Sequence, residues 1–329
     1  RMALGEALTN MASVVIKGLD HVQVSANWMA ASGDPEQDSA LRNGVEALSK
    51  ISVDLEVSIP VGKDSLSMRT KWNEDKNEYE VTSPLSGIIS AMAPVDDVSH
   101  SVTPELNIDE DSAILVVKLN QKNRLAGSIF SEVTESKYKE TPDIDDVELF
   151  KSLFNHIQKL IKDNKILAMH DISDGGLVTA LAEMCFTKKV GMDIQLDDID
   201  NINKTLFSEE IGFVIQVKRD DLDIVKSSLS SINIYVKEVA TIAEEGFSIL
   251  SRETEIFSES ITVLEKHWRE TSHAIQSIRD NKKTADSELN LLDNKNYHGL
   301  NSNTSFNENQ IKNLSIKGTK PKVAILREQ

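Results

Sequence analysis

The stretch Ala168-Met169-His170-Asp171-Ile172-Ser173-Asp174-Gly175-Gly176 constrains this chain more than any other. A short apolar strand ends at His170, a tight polar loop follows, and two glycines open a helix. Paired glycines permit close backbone approach, and the first turn of a helix leaves N–H groups free to face an anion. Asp171 or Asp174 is placed to hold a cation between the loop and such an anion. A helix cap made by Asp or Ser with a glycine turn uses the same residues, and the spacing alone leaves both readings open. His170 taken singly reads as a structural histidine.

Around this unit, apolar periodicity outlines an α/β (α+β) fold. Leu4, Leu8, Met11 and Val15 recur at helical spacing, which predicts a helix over 2–15. Val22–Trp28 alternates as a strand, and Pro35–Ile51 reads as a second helix. Val57–Ile59 is a short strand that runs into a small polar loop, Gly62-Lys63-Asp64-Ser65. Leu66–Trp72 and Tyr79–Thr82 pair around a polar turn, and Ser86–Ala93 reads as a central strand. Ser101–Asp111, with Pro104 and several acids, marks an interdomain connection. Strands follow at 113–119, 166–169, 192–196, 213–217, 234–239, 247–251 and 255–257. Helices are expected at 124–133, 147–163, 176–186, 222–232 and 261–278. Asn281–Lys320 is polar without a clear period and reads as a linker. Lys322–Leu326 reads as a strand.

Charge narrows the partners. The 329 residues include 53 acidic and 36 basic side chains, for a net charge of −17. That balance repels phosphate backbones and anionic lipid, so neither nucleic acid nor a membrane surface is an expected partner. The acidic runs at 143–148 and 193–200 read as solvated surface. The single cysteine, Cys185, excludes an intrachain disulfide and a cysteine zinc site. Its apolar helical setting points to a buried thiol, and low cysteine use suits a reducing cytoplasm. No run of about 18 apolar residues is present to span a bilayer.

Three further groups offer chemistry. Glu6 and Asn10 lie one helical turn apart on the same face, and a carboxylate with an amide oxygen makes a hard donor set suited to Mg2+. Exposed Glu/Asn pairs are also common on ordinary helices. Gly62-Lys63-Asp64-Ser65 combines a glycine, a lysine and a hydroxyl that suit a phosphate, although the P-loop spacing is absent and a basic hairpin turn explains it equally well. Ser258 or Ser260 caps the helix that begins at Ile261.

Taken in order, Gly5-Glu6-Ala7-Leu8-Thr9-Asn10, Ser25-Ala26-Asn27-Trp28-Met29, Ile59-Pro60-Val61-Gly62-Lys63-Asp64-Ser65-Leu66-Ser67-Met68, Thr82-Ser83-Pro84-Leu85, His170–Leu177, Phe257-Ser258-Glu259-Ser260 and Arg279-Asp280-Asn281 resemble the large, single-chain form of the phosphoribosylformylglycinamidine synthase family. Pro321–Gln329 resembles the opening strand of that family's glutaminase domain. The resemblance covers essentially the whole chain and is weakest over 281–320.

The resemblance implies the second half of a synthetase core. Residues 1–105 would be a partial synthetase-like N-terminal domain, similar to that of aminoimidazole ribonucleotide synthetase, and 106–262 the matching C-terminal domain. Residues 263–319 would be a helix and polar linker, and 320–329 the first strand of the glutaminase domain. It further implies an ATP- and glutamine-dependent ligase of purine biosynthesis. ATP activates the amide oxygen of formylglycinamide ribonucleotide (FGAR), and ammonia from glutamine displaces phosphate to leave an amidine. Glu6, Asn10 and Asp171 match the family's Mg2+ ligands at a nucleotide site, Ser173 a nucleotide contact, and a fourth ligand, an aspartate, is expected before Arg1. That site holds ATP or ADP in an auxiliary, structural role. Gly62, Lys63, Asp64 and Ser65 match a loop facing ATP and substrate, where Lys63 replaces the family's Asn and favours a phosphate contact over a metal one. The substrate-binding histidine motif of the first half, the catalytic residues and the glutaminase Cys, His and Glu are expected outside this sequence, elsewhere in the same polypeptide, so this piece alone is expected to be inactive. Two other readings remain: a nucleotide-stabilised scaffold half, and a sister ATP-dependent synthetase of the same fold.

Overall fold

The computed structural model describes residues 1–294 apart from 96 and 198–200, and beyond them residues 297, 299, 303 and 305. The chain divides into two compact units, Arg1–Ala274 and Ile275–Gln329.

The first unit opens with α1 (Met2–Met11), β1 (Gln23–Met29), α2 (Pro35–Asp54), β2 (Ser58–Ser65), β3 (Arg69–Glu74), β4 (Asn77–Thr82) and β5 (Ser86–Met92). It continues with β6 (Ser112–Lys118), α3 (Ile129–Val133), α4 (Val147–Lys162), β7 (Ala168–Asp171), α5 (Gly176–Lys188), β8 (Gly191–Leu196), α6 (Ile202–Phe207) and β9 (Gly212–Lys218). Then come α7 (Leu222–Ser230), β10 (Tyr235–Ala243), β11 (Phe247–Ser251), β12 (Thr254–Glu259) and α8 (Ile261–Arg279). The last turn of α8 and α9 (Lys282–Asn290) belong to the second unit.

Seven strands form one sheet in the order β12-β11-β8-β10-β6-β9-β7. Its inner strands alternate between two cores. On β6, Leu115 and Val117 join one apolar cluster with Phe150, Phe154, Ile157, Val225 and Leu229 from α4 and α7. Ile114 and Val116 join the other, with Leu177, Leu181, Met184 and Cys185 from α5. Burial on both faces explains the continuous apolar runs of β6 and β9. A smaller sheet, β2-β1-β5, pairs β1 parallel to β2 and antiparallel to β5. Leu4, Leu8, Val22, Val24 and Ile51 share the first of these cores with the large sheet. Each is buried, and truncating one of the leucines to Ala would cost roughly 2–5 kcal/mol.

Several expectations change. Ser86–Met92 is an edge strand, and β1 holds the centre of its sheet. The first helix stops at Met11 rather than Val15, because the β-branched run beyond it is captured by other partners. Val14 and Ile16 bridge to Ser101 and Val95. The buried Gln158 amide donates to the carbonyls of Ala12 and Val14, at 2.7 and 2.9 Å, and accepts from the Ile16 N–H at 2.8 Å. Gly62, Lys63, Asp64 and Ser65 are strand rather than loop. They complete β2 in register with Ala26, Asn27, Trp28 and Met29. A Cβ on Gly62 would lie 2.8 Å from the Ala26 carbonyl oxygen, so this register requires glycine there.

The helix expected over 124–133 shortens to Ile129–Val133, capped by Ser128. Arg124 is drawn instead into a buried ion pair. The segment 101–111 is stapled rather than loose: the Met169 N–H bonds to the Thr103 carbonyl at 3.0 Å, and the Asn107 N–H bonds to the Gln216 side chain at 2.8 Å. The acidic runs do local work as well, since Asp146 caps α4 and Asp145 pairs with Arg124 at 2.9 Å. In the second unit, α9 occupies part of the stretch read as aperiodic, with Asn281 as its N-cap and a Lys282–Asp286 pair one turn apart at 2.9 Å. The strand expected at 322–326 lies outside the described residues.

Candidate functional site

Two glycines set the geometry that brings the N-terminal helix to the glycine loop. A Cβ on Gly5 would come within 2.7 Å of Ile144 Cδ1 and 2.9 Å of Ile211 Cδ1. Glycine therefore lets α1 lie directly against these residues, and α1 packs on β7. At the other end, Gly176 has φ +73, and a Cβ there would meet the Phe207 carbonyl carbon at 2.6 Å. This close approach carries the segment after α6 past the start of α5. Glu209, on that segment, accepts the Gly175 N–H at 2.9 Å and the Ile129 N–H at 2.9 Å with one carboxylate oxygen.

The result is a group of carboxylates from distant stretches. The Glu6 carboxyl is held above its ordinary range, first by desolvation, then by the negative charges of Asp174, Asp171 and Glu209. Glu209 is raised too, by burial first, with Asp174 adding to it and the two N–H bonds opposing. Asp171 is 9% exposed, whereas Glu6 and Asp174 are open to solvent. Such a set is repulsive until a cation or donor neutralises it. Asn10 is exposed one turn along the helix from Glu6, and the half-buried Ser173 gives its carbonyl to the Gly176 N–H at 3.0 Å.

Glu209 had no motif to announce it in the sequence. Its only signal was the Glu-Glu pair just before a buried strand, and its approach to the loop depends on the tertiary contact at Gly176. The Gly62–Ser65 segment forms a separate feature: Lys63 hydrogen-bonds to Ser65 at the exposed end of β2, and neither is among the groups that shift Glu6 or Glu209.

Among the described residues, no three His, Cys, Asp or Glu side chains stand together at metal-ligating distance. The carboxylates face one another at electrostatic range. That arrangement still fits Mg2+, which is commonly held by one or two carboxylates and completed by phosphate oxygens and water. The donors are all oxygens, as a hard cation requires.

Glu210, next in sequence, has the opposite setting. It is fully buried, and Arg124 grips it with Nε at 2.7 Å and Nη2 at 2.8 Å. The Arg124 N–H at 3.1 Å and Asn120 Nδ2 at 3.2 Å complete its acceptors. These hydrogen bonds raise Arg124 above its ordinary value against the cost of burial. Nearby Lys118, buried on β6, is pushed down to about 8 by desolvation, with Glu210 opposing.

The loop histidine is also held. His170 Nε2 lies 2.9 Å from Glu183 Oε2, and Nδ1 lies 2.7 Å from the Asp171 carbonyl oxygen. Burial opposes charge on the ring, but the bonds to Asp171 and Glu183 outweigh it and lift His170 to about 10. Cys185 is buried and its thiol is pushed up to about 12 by desolvation, which suits packing and not nucleophilic work. No described helix is long and apolar enough to cross a membrane.

Comparison with known proteins agrees with this architecture. Residues 1–94 match the FGAR-AT PurM_N-like domain family, and residues 109–251 match the C-terminal domain of AIR synthase related proteins. Together with the mixed sheets, the two matches define an AIR synthase-like protein. More narrowly, its two matched segments resemble the N-terminal and C-terminal domains of AIR synthase-like proteins, the first by a model described for FGAR-AT. Its structure is similar to T. maritima PurL complexed with ATP, with a TM-score of 0.57 and 12% identity over 79% of this chain and 41% of that one. T. maritima PurL complexed with FGAR gives a TM-score of 0.55 at 12% identity, over 79% and 42%. Hydrogenase maturation protein HypE gives 0.53 at 11% identity, over 79% and 81%. At these identities the likeness is one of fold. The chain spans about two-fifths of the length of the PurL structures it matches.

Proposed function

We propose that this chain is the nucleotide-holding part of an ATP- and glutamine-dependent ligase that converts FGAR to its amidine, and that Glu6, Asn10 and Asp171 hold Mg2+ on a bound ATP or ADP. One observation carries the reading: Glu6 on α1 feels Asp171, Asp174 and Glu209, which come from stretches more than a hundred residues away in sequence. A fold gains nothing by gathering like charges unless something of opposite charge joins them.

In this reading Mg2+ supplies positive charge that neutralises the nucleotide phosphates. The chain's own residues do the rest. Glu6 and Asn10 present oxygens from one helix face, and Asp171 presents its carboxylate from the end of β7. Ser173 meets the nucleotide. The N–H groups of Gly175 and Gly176 are taken by Glu209 and Ser173, so the next N–H groups in the first turn of α5 would be the ones to meet the phosphates, an arrangement favoured at helix N-termini. Lys63 and Ser65 offer a second phosphate contact at the end of β2, with Gly62 and Asp64 beside them. Glutamine-derived ammonia comes from another part of the polypeptide, so the isolated chain binds nucleotide and makes no amidine.

A second reading is favoured by the HypE likeness, which covers most of that protein's length: a sister ATP-dependent enzyme of the same fold. The match of residues 1–94 to an FGAR-AT domain weighs toward the ligase.

Thermal unfolding of the chain with ADP, with and without Mg2+, tests the nucleotide role. At ADP near 100 times Kd, binding adds about 2.7 kcal/mol of stability, and EDTA should remove it. An unfolding midpoint indifferent to Mg2+ and ADP together would rule the reading out.

A further inference from the structure

The carboxylate assigned to the cation on β7 does not stand alone. Asp171 is met from behind by His170, whose Nδ1 faces both the Asp171 carbonyl oxygen at 2.7 Å and its carboxylate Oδ1 at 3.5 Å. The far side of the ring, Nε2, meets Glu183 Oε2 at 2.9 Å. Glu183 sits on α5, and its other oxygen accepts the indole N–H of Trp268 at 2.7 Å. Trp268 lies on α8 and is itself braced. Its ring packs on Phe186 with centroids 5.8 Å apart. The Arg269 guanidinium lies 5.7 Å from its ring centre and bonds to the buried Glu265 at 2.8 Å.

We propose that Trp268, Glu183 and His170 form a positioning chain that holds the Asp171 carboxylate for its cation, and that α8 is thereby part of the nucleotide site. This rests on the reading of Asp171 as a ligand. The physical logic lies in how the acceptors are used. Both ring nitrogens of His170 face oxygens, so the ring is fixed in rotation. Glu183 divides its two oxygens between two donors, so its own rotamer is fixed as well. Each link thus removes one freedom from the next: the ring is pinned to the Asp171 main-chain carbonyl at 2.7 Å, and its Nδ1 edge then faces the Asp171 carboxylate as an ion-pair contact at 3.5 Å. A side chain that orients a ligand in this way changes metal affinity by about 10–100-fold when it is removed. None of the three residues reaches the cation in this scheme. Glu183 was not singled out by any motif, and Trp268 lies nearly a hundred residues after the loop it serves.

The test uses the full chain, with the Mg2+ midpoint measured at saturating ADP. Glu183→Gln should raise that midpoint about tenfold. Trp268→Phe keeps the ring on Phe186 but removes the N–H, and should raise it about threefold, a smaller effect because it acts one link further away. Trp268→Phe should leave the metal-free unfolding temperature near that of the parent, whereas Glu183→Gln also removes the charge paired with His170 and should lower it, so its Mg2+ midpoint is read well below its own unfolding temperature. The double variant should be no worse than Glu183→Gln alone, since Trp268 acts only through Glu183. Wild-type midpoints in both single variants, or losses that simply multiply in the double variant, would overturn the chain. Asp171→Asn separates the two proposals. If it keeps the full Mg2+ response, the ligand reading fails. If it loses the response while Glu183→Gln and Trp268→Phe keep theirs, the positioning chain fails and the ligand reading stands.

Discussion

Glu210 is fully buried and accepts four hydrogen bonds from Arg124 and Asn120, whereas Glu209, one residue earlier, meets only two backbone N–H groups and shares its space with other acids. The same side chain thus serves two ends. Where a guanidinium answers the carboxylate, the group anchors the fold. Where carboxylates answer one another, the protein keeps a deficit of positive charge that a ligand can fill. The anchoring side also serves the other: by gripping Glu210, Arg124 fixes the backbone that carries Glu209 to the start of α5.

Breaking the compensated side should have the largest effect. Glu210→Gln leaves Arg124 with one fewer charged partner in a buried setting, a change that costs about 3–5 kcal/mol. Urea unfolding would read it, and a loss under 1 kcal/mol would mean the pair is not the anchor described.

Lys118 sharpens the comparison, because it is a cation on the compensated side that finds too little compensation. Its pKa of about 8 lies below the ordinary 10.5. Below pH 8 it is charged in both folded and unfolded states, so the cost of burying the charge is fully felt. Between about 8 and 10.5 the unfolded chain binds more protons than the folded one, so stability rises with pH there. Lys118→Met should therefore stabilise the protein by about 1–3 kcal/mol at pH 7, the gain shrinking as pH climbs toward 10.5. A gain that grows with pH would contradict the sign.

On the uncompensated side the expected effect on the bare protein is the smallest and opposite in sign to most mutations. Glu6→Gln removes one of several mutually repelling charges. Solvent screening limits the gain to about 0.5 kcal/mol, yet the stabilisation by Mg2+ and ADP should vanish. A marked loss of stability without ligand would show that Glu6 is a structural residue.

The sequence made the core strands legible because burial on both faces leaves them continuously apolar, as in β6 and β9. The Asp171 loop was legible because glycines and acids between a strand and a helix have few other uses. Residues 62–65 were harder. Glycine, lysine, aspartate and serine have poor strand character, and only pairing with β1 draws them into β2. The end of α1 was set by Gln158, some 140 residues away. Glu209 was invisible for a similar reason, since no local pattern reveals that Gly176 admits Phe207 at such close range. The isolated pairs that motif reasoning found, Glu6 and Asp171, needed the fold to bring them within reach of each other's charge.

Diffraction from crystals grown with Mn2+ and ADP tests the central claim most directly, because the anomalous signal of manganese marks the cation without reference to activity. The account predicts a single strong peak between the Glu6 and Asp171 carboxylates, at about 2.0–2.3 Å from an oxygen of each, with the ADP phosphates beside the first turn of α5. A manganese peak that leaves both carboxylates untouched, or ADP bound elsewhere on the chain, would contradict it.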